Sequence, residues 1–157
     1  MQFIHLNVKN ERYNRLGRNI TQTFELPLKN HSADILYLYS VFSHMDSADV
    51  ATYLKEFKRV LRPSGNVFLT AFVEEGVEPM TMNPEGYQRS WKGPLHCVRF
   101  DREFFTTLCH ENGFAIKKMD YATEANGQSA FFLVPQAISE PSSKSAARPR
   151  SVASLVS

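Results

Sequence analysis

The segment Ser40-Val41-Phe42-Ser43-His44-Met45 sets a histidine just behind an apolar run. Histidine is the side chain whose unperturbed pKa lies nearest neutral pH, which makes His44 a candidate general base. The competing reading is that His44 closes a loop by hydrogen bonding and moves no proton. Tyr87, Trp91 and His96 form a second group in a stretch rich in Pro and Gly, where aromatic side chains can shape a small-molecule pocket. Ordinary loop packing accounts for them equally well. His96-Cys97 and Cys109-His110 carry metal-capable side chains, but they match no CxxC pair, and Cys109 falls on the apolar face of a helix. No metal site is expected, and Cys97 with a histidine has no supporting signature as a nucleophilic dyad. Asp101 and Glu103 read as a helix start rather than an acid/base pair.

The elements that must position these residues follow from periodicity. Asp34 to Ser40 is a run of β-formers and aromatics, long enough for one strand. Val50, Tyr53, Leu54, Phe57, Val60 and Leu61 recur at helical spacing, with Lys55, Glu56, Lys58 and Arg59 on the other face. Asp46 or Ser47 can cap this helix, and Pro63 and Gly65 stop it. Asn66 to Val73 is a second buried-type strand, so the three elements predict a right-handed parallel βαβ crossover. Residues 74 to 100 are expected to be long and irregular, with Asn83-Pro84-Glu85 a simple turn. Asp101 then caps a helix with Phe104, Phe105, Leu108 and Cys109 inward, ending at Asn112-Gly113. Phe114 to Tyr121 and Ser129 to Val134 read as an antiparallel hairpin around Asn126-Gly127. Residues 3 to 8 read as a short strand, 9 to 23 as a loop, and 137 to 157 as a disordered tail, leaving one domain over 1–136.

Composition narrows the class. Hydrophobic residues at 43% and charged residues at 22% suit a soluble chain, and 157 residues leave room for one domain. A net charge of +2 is too small to argue for nucleic acid. The two cysteines are expected to be reduced thiols. No apolar stretch approaches the roughly 20 residues of a membrane span, and no charged leader precedes a long apolar run, so neither membrane association nor export is expected and the cytoplasm is the default location.

Leu26-Pro27, Ser40-Val41-Phe42-Ser43-His44 and Leu61-Arg62-Pro63-Ser64-Gly65, in that order and spacing, resemble the C-terminal half of a class I S-adenosylmethionine-dependent methyltransferase. Asn7, Asn10, Tyr13, Asn14 and Gly17 are similar to an Asp-x-x-Asn-x-x-Tyr-Asn-x-x-Gly pattern found in one subgroup. The resemblance implies an α/β, Rossmann-like fold with a mixed sheet in the strand order 3-2-1-4-5-7-6. Residues 3 to 8, 34 to 40, 66 to 73, 114 to 121 and 129 to 134 would stand as strands 3, 4, 5, 6 and 7. It further implies S-adenosylmethionine as cofactor, with Ser40, Val41 and Phe42 beside its methionine portion and Asn7 near its adenine. His44, Tyr87, Trp91 and His96 would face a small-molecule or glycan-precursor acceptor.

The family's glycine-rich cofactor loop and its acidic ribose ligand are not found in this sequence. The expectation is therefore a truncated methyltransferase, with strand 4 left as an apolar edge. Residues 3 to 8, or a second chain supplying the missing strands, would pair with that edge. The alternative is a non-catalytic remnant or interaction module that uses the same edge to bind a partner.

Overall fold

The computed structural model describes residues 5–20 and 23–136. The expected disordered tail, and Phe3-Ile4 of the expected first strand, lie outside the described residues.

Strand β1 (Ala33–Leu38) leads through a short 3-10 turn at Phe42–His44 into helix α1 (Ser47–Val60). The cap of α1 is Asp46, whose side chain accepts from the Asp49 N–H at 2.9 Å. The predicted apolar stripe is the buried one, with Val50, Leu54 and Val60 fully enclosed. Strand β2 (Leu61–Glu74) follows at once and runs parallel to β1. It starts earlier than the sequence suggests, because Leu61 already pairs with Ala33 while Ile35 pairs with Asn66. The residues between bulge out of the ladder, which is how Pro63 is accommodated beside a strand.

Helix α2 (Arg102–Glu111) is capped by Asp101, which accepts from Phe104 N–H at 3.0 Å. It packs Phe105 and Cys109 into the same core as α1. Strands β5 (Phe114–Asp120) and β6 (Ser129–Pro135) form the expected antiparallel hairpin, and β6 inserts beside β2 in antiparallel register. The path β1-β2-β6-β5 is thus the 4-5-7-6 half of the expected order.

The segment 74–100 departs from expectation. It contains strand β3 (Met80–Met82), antiparallel to β4 (Val98–Asp101), and β4 runs parallel to the tip of β2 at Phe72–Glu74. Asn83 closes the base of the intervening loop: its amide donates to Gly93 O at 2.7 Å and its side-chain oxygen accepts from Cys97 N–H at 2.9 Å. This residue is a tie across the loop as well as part of a turn.

Among the described residues of the expected 3–8 strand, 5–8, none forms a ladder with β1. Within 5–8, Val8 makes only an isolated bridge to Arg18. The segment instead knits to its own loop: Lys9 N–H donates to Arg18 O at 2.7 Å and Arg18 N–H to Asn7 O at 3.0 Å. The Asn14 amide holds Asn7 Oδ1 and Val8 O, both at 3.0 Å. Gly17 is required because a Cβ there would lie 2.4 Å from the Val8 carbonyl. Among the described residues β1 therefore pairs on one side only, and Ile35 and Tyr37 are 70% and 67% exposed.

One clasp fastens the segment before β1 to α1. Glu56, almost fully buried, accepts from Leu26 N–H at 2.7 Å and from Arg59 at 2.6 and 2.8 Å. Arg59 reaches on to Leu26 O and Leu28 O. The Arg59 hydrogen bonds hold the Glu56 carboxyl below its ordinary pKa, against the opposing effect of burial. A lowered folded-state pKa contributes stability that is complete above the ordinary glutamate range, about 4.3, and is lost as pH falls through the lower folded value. Glu56→Ala is expected to destabilise the fold by about 2 kcal/mol at pH 7, leaving the Leu26 N–H without its acceptor. Urea unfolding of the two proteins should differ at pH 7 and converge as the pH falls into the acid range.

Candidate active site

The turn after β1 is one of the places where the described chain carries backbone strain. Ser40 adopts a left-handed conformation, φ 56°, which costs a non-glycine residue free energy and persists only when its surroundings impose it. Here they do. Thr70 Oγ1 on β2 accepts from Ser40 N–H at 2.8 Å and donates to Gln128 Oε1 at 2.8 Å. Gln128 Nε2 returns to Ser40 Oγ at 2.9 Å, and Ser40 Oγ lies 3.1 Å from Ser43 Oγ. Thr70 and Gln128 are buried, and the ring of bonds meets the needs of both side chains. Gln128 is aimed by the β5–β6 turn, where Asn126 and Gly127 take positive φ.

His44 ends the 3-10 turn Phe42–His44, whose N-cap position is held by Val41. Its backbone carbonyl accepts from the Asn10 amide at 2.9 Å, and its ring meets Tyr13 edge to face with centroids 5.4 Å apart. Nδ1 lies 3.0 Å from Leu95 O. A carbonyl oxygen only accepts, so in the neutral ring Nδ1 carries the proton and Nε2 the lone pair. Burial lowers the His44 pKa, and Arg12 pushes it the same way, outweighing the Leu95 contact. The ring is thus a neutral base at pH 7.

A cavity of about 600 Å³ opens beside this turn. Asn7, Ser40, Val41 and His44, four of the predicted site residues, line it together with Asn10, Tyr13, Asp49 and Tyr53. Phe42 is a correction: its side chain is fully buried and stacks on Phe57 at 6.1 Å, so it packs the core and presents nothing to the cavity. Trp91 and His96 line a smaller annex of about 220 Å³, which shares Tyr13, Ser40 and His44 with the larger cavity. Trp91 is set by a 2.7 Å bond from its indole N–H to Tyr87 O and by Phe72 and His96 against its ring. Tyr87 lines neither space. Its hydroxyl donates to Glu74 at 2.9 Å, and burial together with that carboxylate raises its pKa, so it acts as a strut for Trp91. Cys97 and Cys109 are free and buried, and burial pushes each thiol up to about 12, leaving neither nucleophilic at neutral pH.

Sequence reasoning missed Asp49. It stands in the first turn of α1, on the wall of the large cavity. Burial, with Asp46 nearby, raises its pKa to about 6. Its spacing from the Asp46 cap was readable, but the desolvation that perturbs it comes from walls remote in sequence.

The family model described as a methyltransferase domain matches residues 5–69, which include Asn7, Ser40, Val41 and His44. A SAM-dependent methyltransferase from Methanosarcina mazei superposes with a TM-score of 0.53 at 14% identity over 76% of this chain. The chain has a class I methyltransferase fold. The 1,6-didemethyltoxoflavin-N1-methyltransferase of Burkholderia thailandensis, solved with that compound and S-adenosylhomocysteine bound, matches at TM-score 0.54 and 12% identity over 69% of this chain. A methyltransferase complexed with the Haloferax volcanii Trm112 activator matches at 0.53 and 18% identity over 71%. The chain spans 66%, 46% and 58% of these three structures respectively. No helix among the described residues is long and apolar enough to cross a membrane.

For Asp49, a folded-state pKa raised above the unfolded value of about 3.9 means that stability falls as pH rises from about 4 through about 6. Asp49→Asn is expected to melt at a higher temperature than the parent at pH 7.5 and at the same temperature near pH 4. Calorimetric melting curves at the two pH values check this.

Proposed function

We propose that the chain supplies the acceptor half of an S-adenosylmethionine-dependent methyl-transfer site for a small molecule or glycan precursor. The observation that carries this reading is the convergence of the strained Ser40 turn and the unprotonated Nε2 of His44 on one cavity. The donor set suits one side of the cofactor. Asn7, Ser40 and Asn10 offer polar atoms, while Val41 and Tyr53 offer apolar surface. Bound there, the sulfonium would supply an electrophilic methyl group that needs little activation from the protein.

The chain's own contribution is then positioning and proton removal. The Thr70–Gln128–Ser40 ring fixes the turn, so an acceptor against Val41 and His44 is held without further reorganisation. His44, with Nδ1 committed to Leu95, takes the acceptor's proton on Nε2. Trp91 and His96 form the wall of the annex that the acceptor reaches.

The side of β1 left unpaired among the described residues is the reason to include a second chain in the proposal. With Ile35 and Tyr37 exposed, it suits strands donated by a partner, which would complete the cofactor pocket. The same edge favours the second reading, an interaction module with no catalysis of its own.

Calorimetry with S-adenosylmethionine, with light scattering on the same sample, tests the first reading. Saturable one-site binding is expected if the chain forms a cofactor pocket by itself or as an oligomer. A folded, monodisperse sample that binds nothing would sink the stand-alone enzyme and leave the interaction module. Where turnover is measured, His44→Gln should lower kcat by about 10²–10⁴ while cofactor affinity is unchanged. An unchanged kcat would return His44 to the loop-closing role.

A further inference from the structure

The annex beside His44 has a composition unlike that of the larger cavity. Arg12, Arg89, His44 and His96 line it together with Ser40, Gln128 and other neutral residues, and no Asp or Glu does. Four groups able to carry positive charge thus face a space of about 220 Å³ with no acid to balance them. They come from three separate parts of the chain: the loop before β1, the turn after β1 and the loop between β3 and β4.

The two guanidiniums are unpaired. Among the described residues the ion pairs involve Lys9, Arg59, Arg62, Arg102 and Lys118, and neither Arg12 nor Arg89 takes part. Arg12 Nε is buried with no hydrogen-bond partner. A buried charged donor left unsatisfied costs more than a made bond returns. Arg99 Nε is unsatisfied in the same way outside the annex, so it is the pairing of Arg12 with Arg89 around one space that singles the annex out. Arg89 is held by packing, not by charge, with its Cζ 4.6 Å from the Trp91 ring centroid. That contact leaves its N–H donors free around the edge of the guanidinium. Arg12 likewise leans on Tyr13, 5.5 Å from the ring centroid. Flat cations that rest on aromatic rings and keep their donors unspent are well suited to grip an oxyanion in two-pronged fashion.

From this arrangement we infer that the annex is a binding site for an oxyanion, a carboxylate or phosphate, gripped by Arg12 and Arg89 with His96 at the rim. Assigning that anion to the methyl acceptor rests on the methyl-transfer reading; the anion site itself does not. Because Ser40, Tyr13 and His44 line both spaces, an acceptor anchored in the annex presents its remaining portion to His44 Nε2 and the large cavity. The acceptor class is then an anionic small molecule. Occupation also changes the base: the charges facing His44 are those of Arg12 and His96, and an anion between them offsets what now disfavours the imidazolium.

NMR titration of the full chain with sodium phosphate and, separately, sodium benzoate tests the site. The expected result is saturable change at the Arg12 and Arg89 side-chain signals and an upward shift of the His44 titration midpoint. Arg12→Gln and Arg89→Gln should each weaken binding roughly tenfold or more, while Arg15→Gln, on the exposed side of the same loop, should bind as the parent does. Tighter binding of phosphate assigns a phosphate acceptor, and tighter binding of benzoate a carboxylate. Circular dichroism verifies folding of each variant. Arg89 is exposed, so its variant reads the site even if Arg12→Gln does not fold. No saturable response to either anion, or equal weakening in Arg15→Gln, overturns the proposal. Titration with S-adenosylhomocysteine on the same sample separates the two readings. Cofactor-product binding without an anion response removes the annex site alone. An anion response without cofactor-product binding removes stand-alone methyl transfer and leaves the anion site standing.

Discussion

The closed ring of hydrogen bonds joining Thr70, Gln128 and Ser40 is the constraint on which the site depends. A serine with positive φ does not hold that conformation alone. Its N–H and Oγ are claimed by two buried side chains, Thr70 from β2 and Gln128 from the turn that leads into β6. Because Thr70 and Gln128 also satisfy each other, the ring cannot loosen at one point without leaving a buried polar atom unmet. The insertion of β6 beside β2 brings these two side chains together. The hairpin order is therefore part of the site as well as part of the fold.

Charge sets the character of the space this ring shapes. On one side stand Arg12, Arg89 and His96, and on the other Asp49, whose carboxyl is pushed up to about 6. His44 lies on both walls, neutral, with its proton placed by Leu95. A neutral base between a cationic annex and a polar cavity can respond to what binds on either side. Burial sets its starting point, and the nearby guanidinium adds to that effect.

The sheet imposes a different constraint. Helices α1 and α2 bury one face, with Val67, Leu69 and Val73 of β2 at its centre. The other face carries Tyr37, Phe68 and Phe132 in a row, Tyr37 stacked on Phe68 and Phe132 meeting Phe68 edge to face, each pair 5.1 Å between centroids. With Ile35 and Tyr37 open to solvent along β1, this is the part of the structure whose apolar surface is least compensated.

Local signals carried much of this architecture. Asp46 and Asp101 were legible as caps because a cap acts within one turn, and the α1 stripe because helical periodicity is a property of neighbouring positions. The Asn126-Gly127 hairpin was readable for the same reason, whereas the 4-5-7-6 strand order and the grouping of Asn7, Ser40, Val41 and His44 were expected only from the resemblance to the methyltransferase family. Phe42 was misplaced because strand-end position alone does not tell a cavity-facing side chain from one that turns into the core. In the described part of the expected 3–8 strand, residues 5–8, no ladder forms, because alternation predicts an extended segment but not a partner for its backbone. What tertiary structure alone decided is whatever joins distant positions. The bonds of the Ser40 ring span 30, 58 and 88 residues, and nothing near Ser40 in sequence announces Gln128. The meeting of Arg12 with Arg89 and His96 is of the same kind. Burial and electrostatic field are sums over neighbours in space, so the sequence could name the candidate base, but only the folded chain set its tautomer, its charge and the cationic wall beside it.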